Sequence, residues 1–215
     1  MIKVIYLLLL PFLLSNTGCK SSSPQKVERP AAGMANGVEM LQDTLTRISD
    51  GALHFSKGNS KAIPFADDSN TTVLILVRHA EKASGGDDPD DPELTPAGQA
   101  RSERLADILQ DFSLDGVYTN YFTRTTKTAQ PSAYQQQIDI QFYDSEKAAD
   151  FIIQLAARQI GKHLLVVGRA NTVPQMLNRL LGESRFTDIK EADYSNIYVV
   201  SIRKDGQIKV IRALF

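Results

Sequence analysis

Four short stretches of the chain carry residues that could handle an anion. The first is Arg78-His79-Ala80-Glu81-Lys82, and the second is Tyr118-Thr119-Asn120 with Arg124 close behind. The third is Tyr143-Asp144 with Glu146 nearby, and the fourth is Gly168-Arg169-Ala170-Asn171-Thr172. Each follows an apolar, β-branched run, so each is expected where a strand ends. In an open α/β sheet, that end is where ligands bind. Three arginines and one histidine would then converge from separate segments. The planar guanidinium fork suits a phosphate dianion, and helix amino termini behind Arg124 and Thr172 would add N–H donors. The ligand that this arrangement calls for is a phosphoryl group.

The elements that must position these residues follow from the hydropathy pattern. TTVLILVR, from Thr71, is a continuous apolar run, as in a strand buried on both faces. Thr95-Pro96 opens a helix with Leu105, Ile108, Leu109 and Phe112 on one face. GVYTN reads as a short strand, and TRTTKTAQ as a helix broken or kinked near Pro131. IDIQFY is strand-like, Glu146 to Ile160 an amphipathic helix, HLLVVG a second buried strand and Val173 to Leu181 a helix with Thr172 as its cap. NIYVVSIR and QIKVIRA form a closing antiparallel pair around Lys204-Asp205-Gly206. Alternating β and α segments predict a three-layer α/β/α sandwich with a mostly parallel central sheet.

Ahead of this unit, Val38 to Ser49 places Leu41, Leu45 and Ile48 at helical spacing, which predicts a short amphipathic helix. ALHFS and KAIPF around KGN predict a hairpin. Residues 38–70 are thus expected as an extension (a helix plus a hairpin) and residues 71–215 as the main domain. Residues 20–37, rich in Ser, Pro, Ala and Gly, read as a flexible tether. Lys3 and the apolar run VIYLLLLPFLL, too short to span a bilayer, have the proportions of a signal peptide over residues 1–19. The only cysteine, Cys19, stands where a bacterial lipoprotein signal is cut and lipidated. These features predict a protein held at the cell envelope by a lipid anchor alone. A single cysteine excludes an intrachain disulfide, and a net charge of −1 argues against a nucleic-acid partner. The acidic loop GGDDPDDPE, residues 85–93, lacks the spacing of a calcium loop and reads as a solvated loop beside the pocket.

The motifs together resemble those of the histidine phosphatase superfamily, with its phosphoglycerate-mutase-like fold. LVRHAEK resembles the family's opening Arg-His strand end, and LTPAGQAR its following helix. YTNYFTRTTKTAQP resembles the segment bearing its second arginine, and VVGRANTVP the segment bearing its second histidine. The resemblance covers residues 71–215. It implies that His79 is the nucleophile, forming a phosphohistidine, and that Arg78 and Arg124 grip the phosphoryl oxygens, with no metal or cofactor. It also implies phosphate-binding positions at Arg169, Asn171 and Thr172. The general acid stays open between Glu81 on one side and Asp144 or Glu146 on the other. The substrate would be a phosphorylated small molecule or a phosphoprotein, and the protein is expected as a monomer.

One position departs from the pattern: residue 169, where the family has its second histidine, is arginine. His163 is no substitute, because it lies at the opposite end of its strand, ~16 Å of extended chain away. Arginine can donate hydrogen bonds but cannot act as an acid or base near neutral pH. Two expectations follow: a phosphohydrolase slowed by Arg169, or a relative that binds phosphate or a phosphorylated partner without turnover.

Overall fold

The computed structural model describes residues 37–49, 51–84, 88 and 90–215. The expected signal peptide, Cys19 and all but the last residue of the tether lie outside the described residues. Among the described residues, no helix is long and apolar enough to cross a membrane.

In chain order the strands are β1 (Gly37–Ser49), β2 (Ala52–Phe55), β3 (Ser60–Ala62), β4 (Thr71–Arg78), β5 (Gly116–Thr119), β6 (Ile140–Phe142), β7 (His163–Gly168), β8 (Asn196–Arg203) and β9 (Ile208–Leu214). The helices are α1 (Pro96–Leu109), α2 (Thr123–Gln135), α3 (Ala148–Arg158) and α4 (Thr172–Leu181). All nine strands form one sheet in the order β3-β2-β1-β9-β8-β4-β7-β5-β6. The sheet is mixed, which corrects the expectation of a mostly parallel one. β4, β7, β5 and β6 run parallel. β8 joins β4 antiparallel over seven residue pairs and is itself paired antiparallel with β9. The closing pair, β8 and β9, is antiparallel as expected and lies in the middle of the sheet.

β4 shows why its sequence is apolar throughout. Val73, Ile75 and Val77 face one core with Leu105, Ile108 and Leu109 of α1 and Ala129 and Ala133 of α2. Leu74 and Leu76 face a second core with Ile152 and Leu155 of α3 and Met176, Leu177 and Leu180 of α4. Helices therefore cover both faces of the parallel half, and each fully buried aliphatic side chain contributes roughly 1.5–3 kcal/mol.

Two local expectations are overturned. Residues 37–49 form a strand, not a helix. Leu41, Leu45 and Ile48 pack on one core, and the strand is irregular, with register shifts between Met40 and Thr44 and between Leu45 and Arg47. These irregularities give a strand apparent helical spacing. Pro131, for its part, does not break α2. The helix runs on through Gln135, with Ala129, Ser132 and Ala133 buried on either side of the proline. α1 begins as its sequence indicates: Thr95 Oγ1 accepts from Gly98 N–H at 3.1 Å, with Pro96 in the first turn.

Candidate active site

The carboxyl ends of β4, β5 and β7 meet in one place. Arg78 lies opposite Gly168 in the ladder, and His79 N–H donates to Gly168 O at 2.9 Å, one residue before Arg169. This register brings the first and fourth stretches side by side. Gly168 is required there, because a Cβ would come within 2.8 Å of Thr172 Oγ1 and 2.9 Å of Val173 Cγ2.

The His79 ring is almost wholly buried. Its Nδ1 is 2.8 Å from Ala80 O. A carbonyl only accepts, so Nδ1 carries the proton and Nε2 is left with its lone pair. Burial, reinforced by the charges of Arg78 and Arg124, pushes the imidazole pKa down to about 4. The ring is therefore a neutral base and nucleophile at physiological pH.

Arg78 is 2% exposed. Its Nη1 donates to the carbonyls of Lys190, Glu191 and Asp193 at 2.8, 2.9 and 3.1 Å, and its Nη2 to Glu191 Oε2 at 3.1 Å. Tyr194 lies against its face at 4.2 Å. Arg124, in the first turn of α2, donates to Asp90 O at 3.3 Å and approaches Asp91 Oδ1 at 3.4 Å. The Phe122 ring lies 4.3 Å from Arg124 and 4.8 Å from Arg169. Burial lowers the Arg124 guanidinium, Asp91 opposes that shift, and the charges of Arg169 and Arg78 add to it. Arg124 thus lies close enough to Arg169 and to Arg78 to feel the charge of each. Three buried donors of this pocket, Arg78 Nε, Arg124 Nε and Asn120 Nδ2, have no acceptor within hydrogen-bond distance among the described residues. Unpaired buried donors are costly, and an oxyanion is a ligand that could satisfy them.

The other expected residues fall out differently. Glu81 is gripped by Arg101: Nε donates to both carboxylate oxygens at 3.0 Å and Nη2 to Oε1 at 2.8 Å. Burial pushes its pKa up, but the Arg101 hydrogen bonds and charge outweigh this, and it lies below the ordinary value. An ionised, clamped carboxylate ties the His79 loop to α1; it is poorly suited to delivering a proton. Asp144 and Glu146 are exposed on a single 3-10 turn. Asp144 accepts from Glu146 N–H at 3.0 Å and pairs with Lys147 at 3.7 Å, so neither is brought to His79 by any contact seen here. Thr172 is not the cap of α4 but its first residue, and its hydroxyl accepts from Arg169 N–H at 2.8 Å, closing the turn. Asn171 occupies the cap position without a side-chain cap bond. His163 stacks on Phe112 at 4.3 Å at the far end of β7.

Several site residues escaped the sequence reading. Asp91, in the loop taken as merely solvated, accepts from Thr123 N–H at 2.9 Å with each oxygen and from Thr123 Oγ1 at 2.8 Å. It therefore caps α2, whose own cap residue Phe122 offers no side-chain bond. Glu191 bridges Arg78 and Lys82, the latter at 3.4 Å. The acidic loop was a usable signal for Asp91; the segment before β8 carries no motif at all.

A buried neutral histidine, two arginines whose charges reach it and unpaired buried donors thus lie at the end of the parallel half of the sheet, an arrangement chemically suited to an anion. Residues 74–145 match the model of the histidine phosphatase superfamily, branch 1. The matched segment contains Arg78, His79 and Arg124 and stops short of Arg169. No curated protein matches the chain. Solved structures with the same fold include a mutant phosphoserine phosphatase from Entamoeba histolytica in complex with phosphoserine (16% identity, TM-score 0.53, 65% of this chain and 94% of that one). Another is the protein histidine phosphatase SixA complexed with tungstate (17%, 0.53, 64% and 93%). A third is a mycobacterial glucosyl-3-phosphoglycerate phosphatase (10%, 0.55, 67% and 98%). At these identities the likeness is one of fold.

Proposed function

We propose that this chain is a phosphohydrolase that works through a phosphohistidine on His79 Nε2. The observation that carries the reading is the state of His79: neutral, proton on Nδ1, lone pair on Nε2, beside Arg78 and Arg124 whose Nε atoms lack acceptors. Nε2 attacks phosphorus, the N–P bond forms and the bond to the leaving oxygen breaks. Arg78 and Arg124 hold the equatorial oxygens as charge spreads over them. Water then breaks the N–P bond and restores the imidazole. Asn120 Nδ2 is a further donor to the phosphoryl group, and Arg169 stands where a second imidazole donor would be expected. No residue of this scheme calls for a metal or a cofactor. The names of the structural neighbours, phosphatases of phosphoserine and of protein phosphohistidine among them, support a phosphorylated small molecule or phosphoprotein as substrate.

The test is hydrolysis of p-nitrophenyl phosphate by the purified chain in chelator-treated buffer. Slow phosphate release that His79→Ala abolishes is expected; equal rates in the two proteins would refute the reading.

The domain division at residues 71–215, a monomeric state and lipid anchoring at Cys19 in the cell envelope belong to the same proposal. For the anchor, Cys19→Ser is expected to move the protein from the membrane to the soluble fraction, and continued membrane attachment would refute it.

A further inference from the structure

Turnover through a phosphohistidine needs a group that takes a proton from the attacking water. Neither Arg169 nor the buried His79 can supply it: the first is always charged, and the second is bonded to phosphorus at that moment. The carboxylates near the pocket differ sharply in freedom. Glu81 is clamped by three hydrogen bonds from Arg101. Asp91 is clamped by Thr123 and Arg124. Asp144 and Glu146 sit on a separate exposed turn.

Glu191 is placed otherwise. It belongs to a strap, residues 189–194, whose carbonyls at Lys190, Glu191 and Asp193 accept from Arg78. Ile189 N–H donates to Ala170 O at 2.9 Å, next to Arg169, and Tyr194 packs on Arg78 at 4.2 Å and against the His79 ring at 5.9 Å. Between these anchors the Glu191 carboxylate meets Arg78 Nη2 with one oxygen and Lys82 Nζ with the other, at 3.1 and 3.4 Å. Its side chain is 71% exposed, whereas His79 is buried beneath. The carboxylate is near enough to His79 for each to act on the other's charge, and its exposure leaves it open to water.

We propose that Glu191 is the general base for hydrolysis of the phosphohistidine, an inference that rests on the function proposed above. The proton balance closes. As the water oxygen bonds to phosphorus, its proton passes to Glu191, the N–P bond breaks and its electron pair returns to Nε2. The protonated Glu191 then gives the proton to the leaving oxygen of the next substrate, or to solvent. Arg78 and Lys82 hold the carboxylate ionised in the resting site, which is the form a base needs; burial works against them but is overcome. A phosphoryl group claims the same Arg78 edge, so it detaches Glu191 from its strongest partner and raises its proton affinity when a proton must be accepted.

The full chain is mixed rapidly with p-nitrophenyl phosphate, nitrophenolate release is followed, and the quenched protein is assayed for acid-labile phosphate on histidine. Nitrophenolate is a good leaving group and needs no proton. Glu191→Gln is therefore expected to keep the burst at the wild-type rate, turn over about 10²-fold more slowly and accumulate phosphohistidine. Formate is expected to restore part of the turnover of Glu191→Ala, which a purely structural role would not allow. Turnover of Glu191→Gln within about twofold of wild type, or a burst that falls in step with turnover, would overturn the assignment. A missing phosphohistidine in the wild type would instead refute the underlying reaction, so the two failures are distinguishable.

Discussion

The neutral state of His79 has a measurable cost. Free histidine titrates near 6.5, and burial holds this ring down to about 4. As pH falls through 6.5 the unfolded chain binds a proton there, while the folded chain does not until about 4. The unfolded state thus holds more protons across that window, and stability falls with falling pH. A displacement of about 2.5 units corresponds to about 3 kcal/mol by pH 4, at about 1.36 kcal/mol per unit. Stability in full is present above pH 6.5. Urea unfolding at pH 7, 6, 5 and 4, on wild type beside His79→Asn, isolates the effect, because the carboxylates that also titrate near pH 4 are common to both proteins. The asparagine variant should lose markedly less stability on acidification. The chain has three histidines, His54, His79 and His163, so the ring can also be followed directly by NMR. A His79 ring that titrates near 6.5, or parallel stability profiles for the two proteins, would refute the reasoning. The same argument requires that nucleophile protonation impose no loss of activity between pH 8 and 5.

Two substitutions probe the frame around that ring. Arg169→His replaces a guanidinium lying over Phe122 by a shorter donor, one residue after the Gly168 carbonyl that accepts from His79 N–H. One well-aimed donor is typically worth about 10²–10³ in rate. A rise of at least about tenfold in p-nitrophenyl phosphate turnover is expected, and an unchanged or lower rate would mark arginine as the adapted residue. Gly98→Ala would set a methyl 2.2 Å from Glu81 O, a backbone atom that cannot turn aside. Because Thr95 N–H also donates to that oxygen at 2.9 Å, α1 must retreat from the His79 loop. A loss of about 1–3 kcal/mol in urea unfolding is expected, with reduced turnover; unchanged stability would show that the helix can move away without cost.

How legible the site was depended on how each residue is held. Arg78, His79 and Arg124 sit at the ends of regular elements whose apolar runs announce them, and β4 alternates between two cores just as its sequence requires. The helical spacing of Leu41, Leu45 and Ile48 in β1 arises because the strand is irregular, with register shifts between Met40 and Thr44 and between Leu45 and Arg47. The sheet was misjudged for a related reason: alternation of strands and helices identifies the parallel half, but nothing local says that β8 will pair with β4. Glu81 was legible as a residue and not as a role, since its partner Arg101 lies a full helix turn into α1. Glu191 and Tyr194 reach Arg78 across more than a hundred residues from a segment without periodicity.

The charges those loops contribute explain how the pocket can exist without substrate. Arg78 and Arg124 are buried cations, and burying a cation unpaired is prohibitively costly. Glu191 offsets the first and Asp91 the second. The two carboxylates are held differently. Asp91 is bound to the backbone and side chain of Thr123 in α2, so under the proposed reaction it would stay as the counterion of Arg124. Glu191 is held by side-chain contacts to Arg78 and Lys82 and is free to leave. Under the proposed reaction the incoming phosphoryl group would exchange one carboxylate for itself at Arg78 and add its charge at Arg124. Among the described residues Arg169 makes no ion pair, whereas Arg78, Lys82 and Arg124 each do. An extra negative charge on a substrate would therefore meet Arg169 without displacing a described carboxylate.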